Sequence, residues 1–365
     1  MPVRPLCLVA ASLIAAFSAG MAHAAGQLNI YNWNDYIGET TVADFGQAQQ
    51  VKVRYDLYDS NETLQAKLLT GKSGYDIVVP SLEFAARQIK SGLYLKLNKA
   101  KLTNLDNLDP AILAKMREAD PNNEYLVPYM WGTAAFGINV DKVRKALGDE
   151  PMPADRWELV FNPHYTRKLR ACGISYMDTG SDVYSMINIY RGRDANDFSK
   201  EALEDNNQTI KPVRKDIRVF NSSPIDLLAN GDVCVALAFN GDVYIAADRA
   251  REARKPFRIE YEIPTKGATL WIDSLAIPKD SRNVDNAHLW INYILRPEVA
   301  AAISNKVNYA NPNIKATPLV TQHLRDDPKI YMTAEALANL QPKKPLTTEQ
   351  QRLITLHFNR LKSGR

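Results

Sequence analysis

The sequence predicts an α/β fold in two lobes, in which helices alternate with the strands of a parallel sheet. Segments with strand-like and helix-like patterns alternate near the start of the chain and again in its second half. Short turns join these segments, and the sequence contains no internal repeat, low-complexity run or long flexible linker. A chain of 365 residues is also long enough for two domains of ordinary size.

The first part of the chain predicts the order strand, helix, strand, helix, strand. The predicted strands cover residues 28–31, 51–57 and 75–79. A first helix is predicted over residues 41–49 with Thr40 as its cap, and Ser60 is predicted to cap the second helix. Gly71 ends the second helix, at a position where a left-handed residue is favoured. This order favours a parallel sheet.

The same order returns in the second half of the chain. Residues 225–230 predict a helix that ends at Gly231, and residues 233–239 predict a buried strand. The turn Asn240-Gly241-Asp242 then leads into another helix. Between the two halves, residues 194–215 are polar and rich in helix-forming types, which predicts a solvated surface.

The N-terminal residues 1–24 have the pattern of a secretory signal peptide. Arg4 precedes an apolar stretch over residues 6–17, and Ala22-His23-Ala24 is a small-residue site after which we expect cleavage. No later segment of the sequence offers the roughly 20 apolar residues that a membrane helix needs. We therefore expect an exported protein.

Two cysteines, Cys172 and Cys234, remain once Cys7 leaves with the signal peptide. In an oxidising compartment such an isolated pair favours a disulfide over two free thiols. The bond would join residues 62 positions apart (234 − 172). The chain-entropy model gives a loop of that length roughly 4 kcal/mol of stabilisation.

Charge and motif content argue against several classes of function. After signal cleavage the net charge is +3 (45 basic residues less Arg4, minus 41 acidic residues), and the basic residues are scattered, so we expect no nucleic-acid partner. The four remaining histidines lack the spacing of metal ligands, so we expect no metal and no cofactor. The sequence has no nucleophile-elbow or zinc-protease motif, so we expect that the protein is not an enzyme.

Acidic and aromatic residues recur together where strands are predicted to end. They are Trp33, Asn34, Asp35 and Tyr36 after the first strand, Phe239 and Asp242 after a later strand, Trp271 and Asp273 at alternate positions of another, and Tyr309 in a polar turn. Open α/β sheets bind ligands at the carboxyl ends of their strands, and ring faces beside carboxylates suit an organic ammonium ion.

Each of these positions also has a purely structural explanation. Asn34, Asp35 or Asp242 could cap a helix, and Trp271 could be a core residue. Asp273 and Tyr309 could lie in solvent. The recurrence of the same combination at several strand ends favours a binding site.

Seven segments then carry a family resemblance. They are Tyr31-Asn32-Trp33-Asn34-Asp35-Tyr36, Asp59-Ser60-Asn61-Glu62-Thr63, Asp76-Ile77-Val78-Val79-Pro80-Ser81, Pro128-Tyr129-Met130-Trp131-Gly132, Trp271-Ile272-Asp273-Ser274-Leu275-Ala276-Ile277-Pro278, Tyr309-Ala310-Asn311 and Ala316-Thr317-Pro318-Leu319-Val320. With these segments the mature chain resembles, over essentially its whole length, the periplasmic polyamine-binding proteins, the putrescine/spermidine receptors of ABC importers.

The resemblance implies a type II periplasmic-binding-protein fold, in which two α/β lobes joined by crossover strands hold the ligand in a cleft. We place lobe 1 at residues 25–134 and 256–310, and lobe 2 at residues 135–255 and 311–365. The resemblance also implies a periplasmic protein, which we expect to be a monomer, that binds a polyamine and delivers it to a membrane permease. The alternative is a sensor of the same fold that signals to a membrane receptor.

The resemblance assigns the site residue by residue. It implies an aromatic box of Trp33, Tyr36, Phe239, Trp271 and Tyr309, carboxylates from Asp35, Asp182, Asp242 and Asp273, a hydrogen bond from Ser81, and pocket-lining positions at Asn34 and Glu83. Cys172 and Cys234 match the disulfide of the putrescine-binding branch.

Departures from the family pattern bear on the ligand. The putrescine branch usually has Ser, Glu and Trp at the positions of Asn34, Asp182 and Phe239, whereas Trp271 and the residues after it resemble the spermidine-preferring branch. Glu83 adds an acid, unless it is a solvent-exposed residue at a helix start. The shorter Asp182 and the extra Glu83 favour spermidine or agmatine over putrescine, and putrescine, cadaverine, spermidine and agmatine all stay open as ligands.

Overall fold

The computed structural model describes residues 26–221 and 223–364. The predicted signal peptide, residues 1–24, lies outside the described residues. The strands are β1 (Gly26–Trp33), β2 (Val51–Tyr58), β3 (Ile77–Val78), β4 (Leu126–Asn139), β5 (Ile174–Tyr176), β6 (Ile217–Phe220), β7 (Val235–Phe239), β8 (Ile259–Glu262), β9 (Thr269–Ala276) and β10 (Gln341–Pro342). The helices are α1 (Thr41–Gln49), α2 (Asn61–Leu69), α3 (Leu82–Lys90), α4 (Pro110–Met116), α5 (Val140–Leu147), α6 (Glu158–Phe161), α7 (Pro163–Leu169), α8 (Gly180–Tyr190), α9 (Lys200–Ile210), α10 (Ile225–Asn230), α11 (Asn240–Glu252), α12 (Val284–Ile294), α13 (Pro297–Val307), α14 (Gln322–Arg325), α15 (Ala334–Ala338) and α16 (Thr348–Ser363).

The described strands form one mixed sheet. Its order is β2-β1-β3-β9-β4-β7-β5-β6, with β10 beside β9 and β8 beside β4. On one flank β1 pairs in parallel with β2 and β3, and on the other β5 pairs in parallel with β6 and β7. In the centre β4 runs antiparallel to β7, β8 and β9. The predicted parallel sheet is therefore present on both flanks, and antiparallel strands join them.

Strand β4 connects two hydrophobic cores. All of its 14 residues are buried, and it pairs with β9 over residues 126–134 and with β7 over residues 134–138. One buried apolar cluster contains Phe45 and Trp290, and the other contains Trp157. Trp33 and Phe239 are partly buried and pack against both clusters. Trp33 and Phe239 therefore lie where the two cores meet, and Tyr36, Trp271 and Tyr309 belong to the cluster of Phe45 and Trp290.

The proposed lobe boundaries stay a prediction, and two sets of contacts favour shifting them. Strand β8 pairs with residues 136–139 of β4, a stretch whose first three residues also pair with β7. β8 thus associates with the side of the sheet that we assigned to lobe 2. The backbone N–H of Ile314 donates to the carbonyl of Asn107 at 2.8 Å, so the start of the segment 311–365 contacts the side assigned to lobe 1.

Several predicted local signals are confirmed. Helix α1 has the predicted bounds, and the Ser60 hydroxyl accepts a hydrogen bond from a backbone N–H in the first turn of α2. Gly71 and Gly231 have φ values of 64° and 76°, the left-handed conformation predicted for a residue that ends a helix. Thr40 occupies the predicted N-cap position, but its hydroxyl donates to Asp44 Oδ2 at 2.6 Å and makes no capping bond to the helix backbone.

The predicted disulfide is confirmed. Cys172 and Cys234 are bonded, with their Cα atoms 5.4 Å apart. Cys234 is fully buried and immediately precedes β7, the strand that leads into the candidate site. The bond therefore anchors the entry to this strand.

The part of the chain that the structure describes contains no helix that is both long and apolar enough to cross a membrane. The same residues contain no group of three or more His, Cys, Asp or Glu side chains arranged to hold a metal ion.

Candidate functional site

The turn after β1 directs Tyr36 into the protein. Asn32, at the end of the strand, is buried, and its side chain accepts from the N–H of Trp33 at 2.8 Å and donates to the carbonyl of Tyr36 at 3.3 Å. Tyr129 of β4 donates to the same carbonyl at 2.6 Å. These bonds fix the backbone of the turn, so the Tyr36 ring has a defined direction.

Asp273 on β9 is a buried carboxylate held by two hydroxyl groups. Ser81 donates to its Oδ1 at 2.6 Å, and Tyr36 donates to its Oδ2 at 3.0 Å. Burial raises the pKa of Asp273 from its usual 3.8 to about 7, although the Ser81 and Tyr36 bonds oppose the shift. The charge of Glu83 adds to the rise.

Asp242 occupies the first turn of α11, directly after β7. Tyr309 donates to its Oδ1 at 3.2 Å. Desolvation raises the pKa of Asp242 to about 7 against the effect of that bond, and the nearby charge of Asp35 adds to the rise. Asp242 is partly exposed whereas Asp273 is buried.

Asn34 and Asp35 lie at the surface of the turn. Both side chains are exposed, and Asp35 has a positive φ of 51°. The structure thus places Asn34 and Asp35 at the exposed surface of the turn, directly before the buried Tyr36.

Four of the five predicted aromatic residues form a contiguous group. Trp271 and Tyr309 meet edge to face with ring centroids 4.9 Å apart, Tyr36 and Tyr309 at 5.7 Å, and Phe239 and Trp271 at 6.1 Å. Burial raises the pKa of Tyr36 and of Tyr309 well above 10.0, so both hydroxyls stay protonated and donate to the two carboxylates.

Two glycines allow the rings to approach the backbone. A Cβ at Gly241 would lie 2.2 Å from Tyr309 Cζ, and one at Gly132 would lie 2.5 Å from Trp271 Cζ2. Both distances are far below van der Waals contact. The Tyr309 and Trp271 rings can therefore keep their positions only if these two residues are glycine.

Trp33 packs on a neighbouring ring. Its centroid is 4.5 Å from that of Tyr58, and its Nε1–H donates to the carbonyl of Val79 at 2.8 Å. The indole therefore packs at a tilt of 50° on Tyr58 and is held by a hydrogen bond to the residue that follows β3.

Glu83 and Asp182 bind a lysine from the C-terminal part of the chain. Lys343 Nζ lies 3.2 Å from Glu83 Oε1 and 2.9 Å from Asp182 Oδ1. Glu83 is 6% exposed, so it is not the solvent-facing helix-start acid that was its structural alternative. Burial lowers the pKa of Lys343, but Asp182 and Glu83 outweigh it, so the net shift is upward and the ammonium stays charged.

The predicted acids thus separate into two sets. Among the described residues, the hydrogen-bond partners of Asp242 and Asp273 are hydroxyl groups, and neither acid forms an ion pair. Glu83 and Asp182 already share an ammonium. Sequence reasoning missed Lys343, because it follows the short strand β10 far along the chain and no local pattern marks it.

The chain matches known proteins over most of its length. Residues 40–333 match the family model of bacterial extracellular solute-binding proteins. The putrescine-binding periplasmic protein SpuD of Pseudomonas aeruginosa is 42% identical over 96% of this chain and 96% of its own length. The putrescine-binding periplasmic protein PotF of Escherichia coli is 41% identical over 98% of this chain and 97% of its own. The solved structure of a putative spermidine/putrescine ABC transporter from Listeria monocytogenes has a TM-score of 0.79 and 30% identity, and the match covers 93% of this chain and 100% of that one.

Proposed function

Because the chain belongs to the family of bacterial extracellular solute-binding proteins and has their type II periplasmic-binding-protein fold, we propose that it captures a polyamine in the periplasm and delivers it to an ABC permease. Several similar proteins support this proposal, since their names specify putrescine or spermidine as ligand. The site residues support it independently of the names.

The observation that carries the proposal is the pair of carboxylates, Asp242 and Asp273, set among aromatic rings. A protonated amine loses its hydration when it enters such a site, so it needs a carboxylate partner. Each carboxylate lies within reach of a tyrosine that also belongs to the aromatic group. A chain with an ammonium at both ends and methylenes between them matches this arrangement.

The charged ends must supply much of the binding free energy. Burial contributes about 0.8 kcal/mol per CH₂ group, so four methylenes give roughly 3 kcal/mol. A micromolar dissociation constant corresponds to about 8 kcal/mol. The difference must come from the carboxylates and from ring faces that attract a cation.

Titration calorimetry with matched amines tests this proposal. Putrescine and 1-butylamine have the same four-carbon chain, but butylamine lacks the second ammonium. We expect butylamine to bind at least about 100-fold more weakly, because one carboxylate is left without a partner. Equal affinities for the two amines, or no binding of putrescine, cadaverine, spermidine or agmatine, would contradict the proposal.

A further inference from the structure

Lys343 holds a charged group in the interior, between two helices that carry acids. Glu83 lies in the first turn of α3, and Asp182 lies in the first turn of α8. The exposed fraction of the side chain is 7% for Glu83, 3% for Asp182 and 15% for Lys343. The lysine ammonium therefore takes up a position in which two buried carboxylates converge on a cation.

The backbone around Lys343 is anchored on both sides. Its N–H donates to the carbonyl of Leu270 at 3.2 Å, directly before Trp271 of the aromatic group. Residues 341–346, which we call the strap, also bond to Asn196, whose Nδ2 donates to the carbonyl of Pro342 at 3.0 Å. On the other side Arg87 of α3 donates to the carbonyl of Leu346 at 3.1 Å. The strap thus holds the lysine at a fixed place beside the site.

The charge around the lysine is not fully balanced. Two carboxylates share one ammonium, and Glu83 Oε2 is buried and has no hydrogen-bond partner among the described residues. The group also adjoins the ligand site, since Ser81, whose hydroxyl donates to Asp273 at 2.6 Å, lies two residues before Glu83 at the start of α3. A cation that entered beyond Asp273 would therefore meet the same two acids that Lys343 now binds.

We propose that Lys343 is a specificity-determining residue, a tethered ammonium that fills the place of a third ligand ammonium beyond Asp273. The inference rests on the proposed polyamine function and names the ligand class within it. The site then takes a diamine whose two ends meet Asp242 and Asp273. A triamine such as spermidine must bring its extra ammonium to Lys343 itself, where like charges repel.

Replacing the lysine while keeping the acids tests this assignment. In the Lys343→Met variant, Glu83 and Asp182 are free to bind a cation, so the preference should move toward spermidine. We expect wild type to bind putrescine at least about tenfold more tightly than spermidine, and the variant to shift that ratio toward spermidine by at least about tenfold. Lys344→Met is the matched control, because Lys344 is the next residue in the chain and is exposed. This variant should keep the wild-type ratio of putrescine to spermidine affinity.

A further variant separates a binding effect from a structural one. Lys343→Met combined with Glu83→Gln and Asp182→Asn removes the acids together with the lysine, and the gain for spermidine should disappear. Circular dichroism and thermal denaturation monitor the folding of each variant. If a variant fails to fold, the ratio of putrescine to spermidine affinity in the wild-type protein still tests the inference.

The outcomes distinguish the two proposals. If wild type binds amines but prefers spermidine, or if a folded Lys343→Met variant keeps the wild-type ratio within about twofold, the role of Lys343 is refuted and the receptor function stands. If wild type binds none of the amines, the proposed function itself fails.

Discussion

Diamine affinity should rise about 30-fold between about pH 5.5 and about pH 8, because Asp273 must lose a proton before it can bind an ammonium. Its pKa in the free protein is about 7, raised mainly by burial. With that pKa about 3% of the carboxyl groups are ionised at the lower pH and about 90% at the higher, and the ratio is about 30. The pKa of Asp242 is also raised, so its ionisation changes the affinity in the same direction. Because Asp242 is partly exposed, the change of about 30-fold in affinity is worked from Asp273 alone.

The stability of the free protein should change in the opposite direction. The pKa of Asp273 is 3.8 in the unfolded chain and about 7 in the folded protein. Between these two pH values the folded protein keeps on Asp273 a proton that the unfolded chain has already lost. The free energy of unfolding therefore falls as the pH rises through this window. The difference of about 3.2 pH units (7 − 3.8) at 1.36 kcal/mol each sets an upper value of about 4 kcal/mol for Asp273.

Calorimetry in two buffers with different ionisation enthalpies measures both the affinity and the protons released. At about pH 5.5 we expect about one proton released per bound diamine from Asp273, and about a tenth of that at about pH 8. Asp273→Asn should remove this contribution. Asp285→Asn is the matched control, since Asp285 is exposed and pairs with Lys101 on the surface. An affinity that stays within about threefold across the range, or that increases toward acid pH, would refute the reasoning.

Three variants test other parts of the site and the fold. Asp242→Asn should weaken diamine binding by roughly tenfold or more in calorimetry, because a buried ammonium loses its counter-charge, and affinity within about twofold of wild type would contradict its assignment. Gly241→Ala should lower affinity by a similar factor while the protein stays folded, since the new Cβ displaces the Tyr309 ring, and an unchanged dissociation constant would show that the ring position is unimportant. Replacing Cys172 and Cys234 by Ser should lower the free energy of unfolding by up to about 4 kcal/mol in denaturant titrations, with the order of amine affinities retained, and equal stability would contradict the structural role of the bond.

Features that depend on local sequence were the ones that could be predicted. The bounds of α1, the cap at Ser60 and the left-handed Gly231 follow from side chains within one or two turns. The recurrence of acids and rings at strand ends could also be read along the chain. Asp242, Asp273 and Tyr309 lie far apart in sequence: Asp242 lies in the first turn of α11, Asp273 within β9 and Tyr309 in the turn after α13.

Features that depend on distant partners could not be predicted. Strand β3 covers Ile77–Val78 alone, shorter than the predicted residues 75–79, although the backbone N–H of Asp76 still donates to the carbonyl of Asn29 in β1 at 2.7 Å. The antiparallel centre of the sheet arises from β4 and β9, whose directions are set by their position between the flanks. The pairing of Lys343 with two acids from other helices is of the same kind, since nothing next to the lysine in sequence indicates it.

A crystal structure of the protein with putrescine tests the central claim most directly. We predict one ligand nitrogen within hydrogen-bond distance of Asp273 and the other within that distance of Asp242, with the methylenes packed against the aromatic group of Tyr36, Phe239, Trp271 and Tyr309. Lys343 should stay bound to Glu83 and Asp182. A ligand whose nitrogen atoms contact neither Asp242 nor Asp273 would contradict the account.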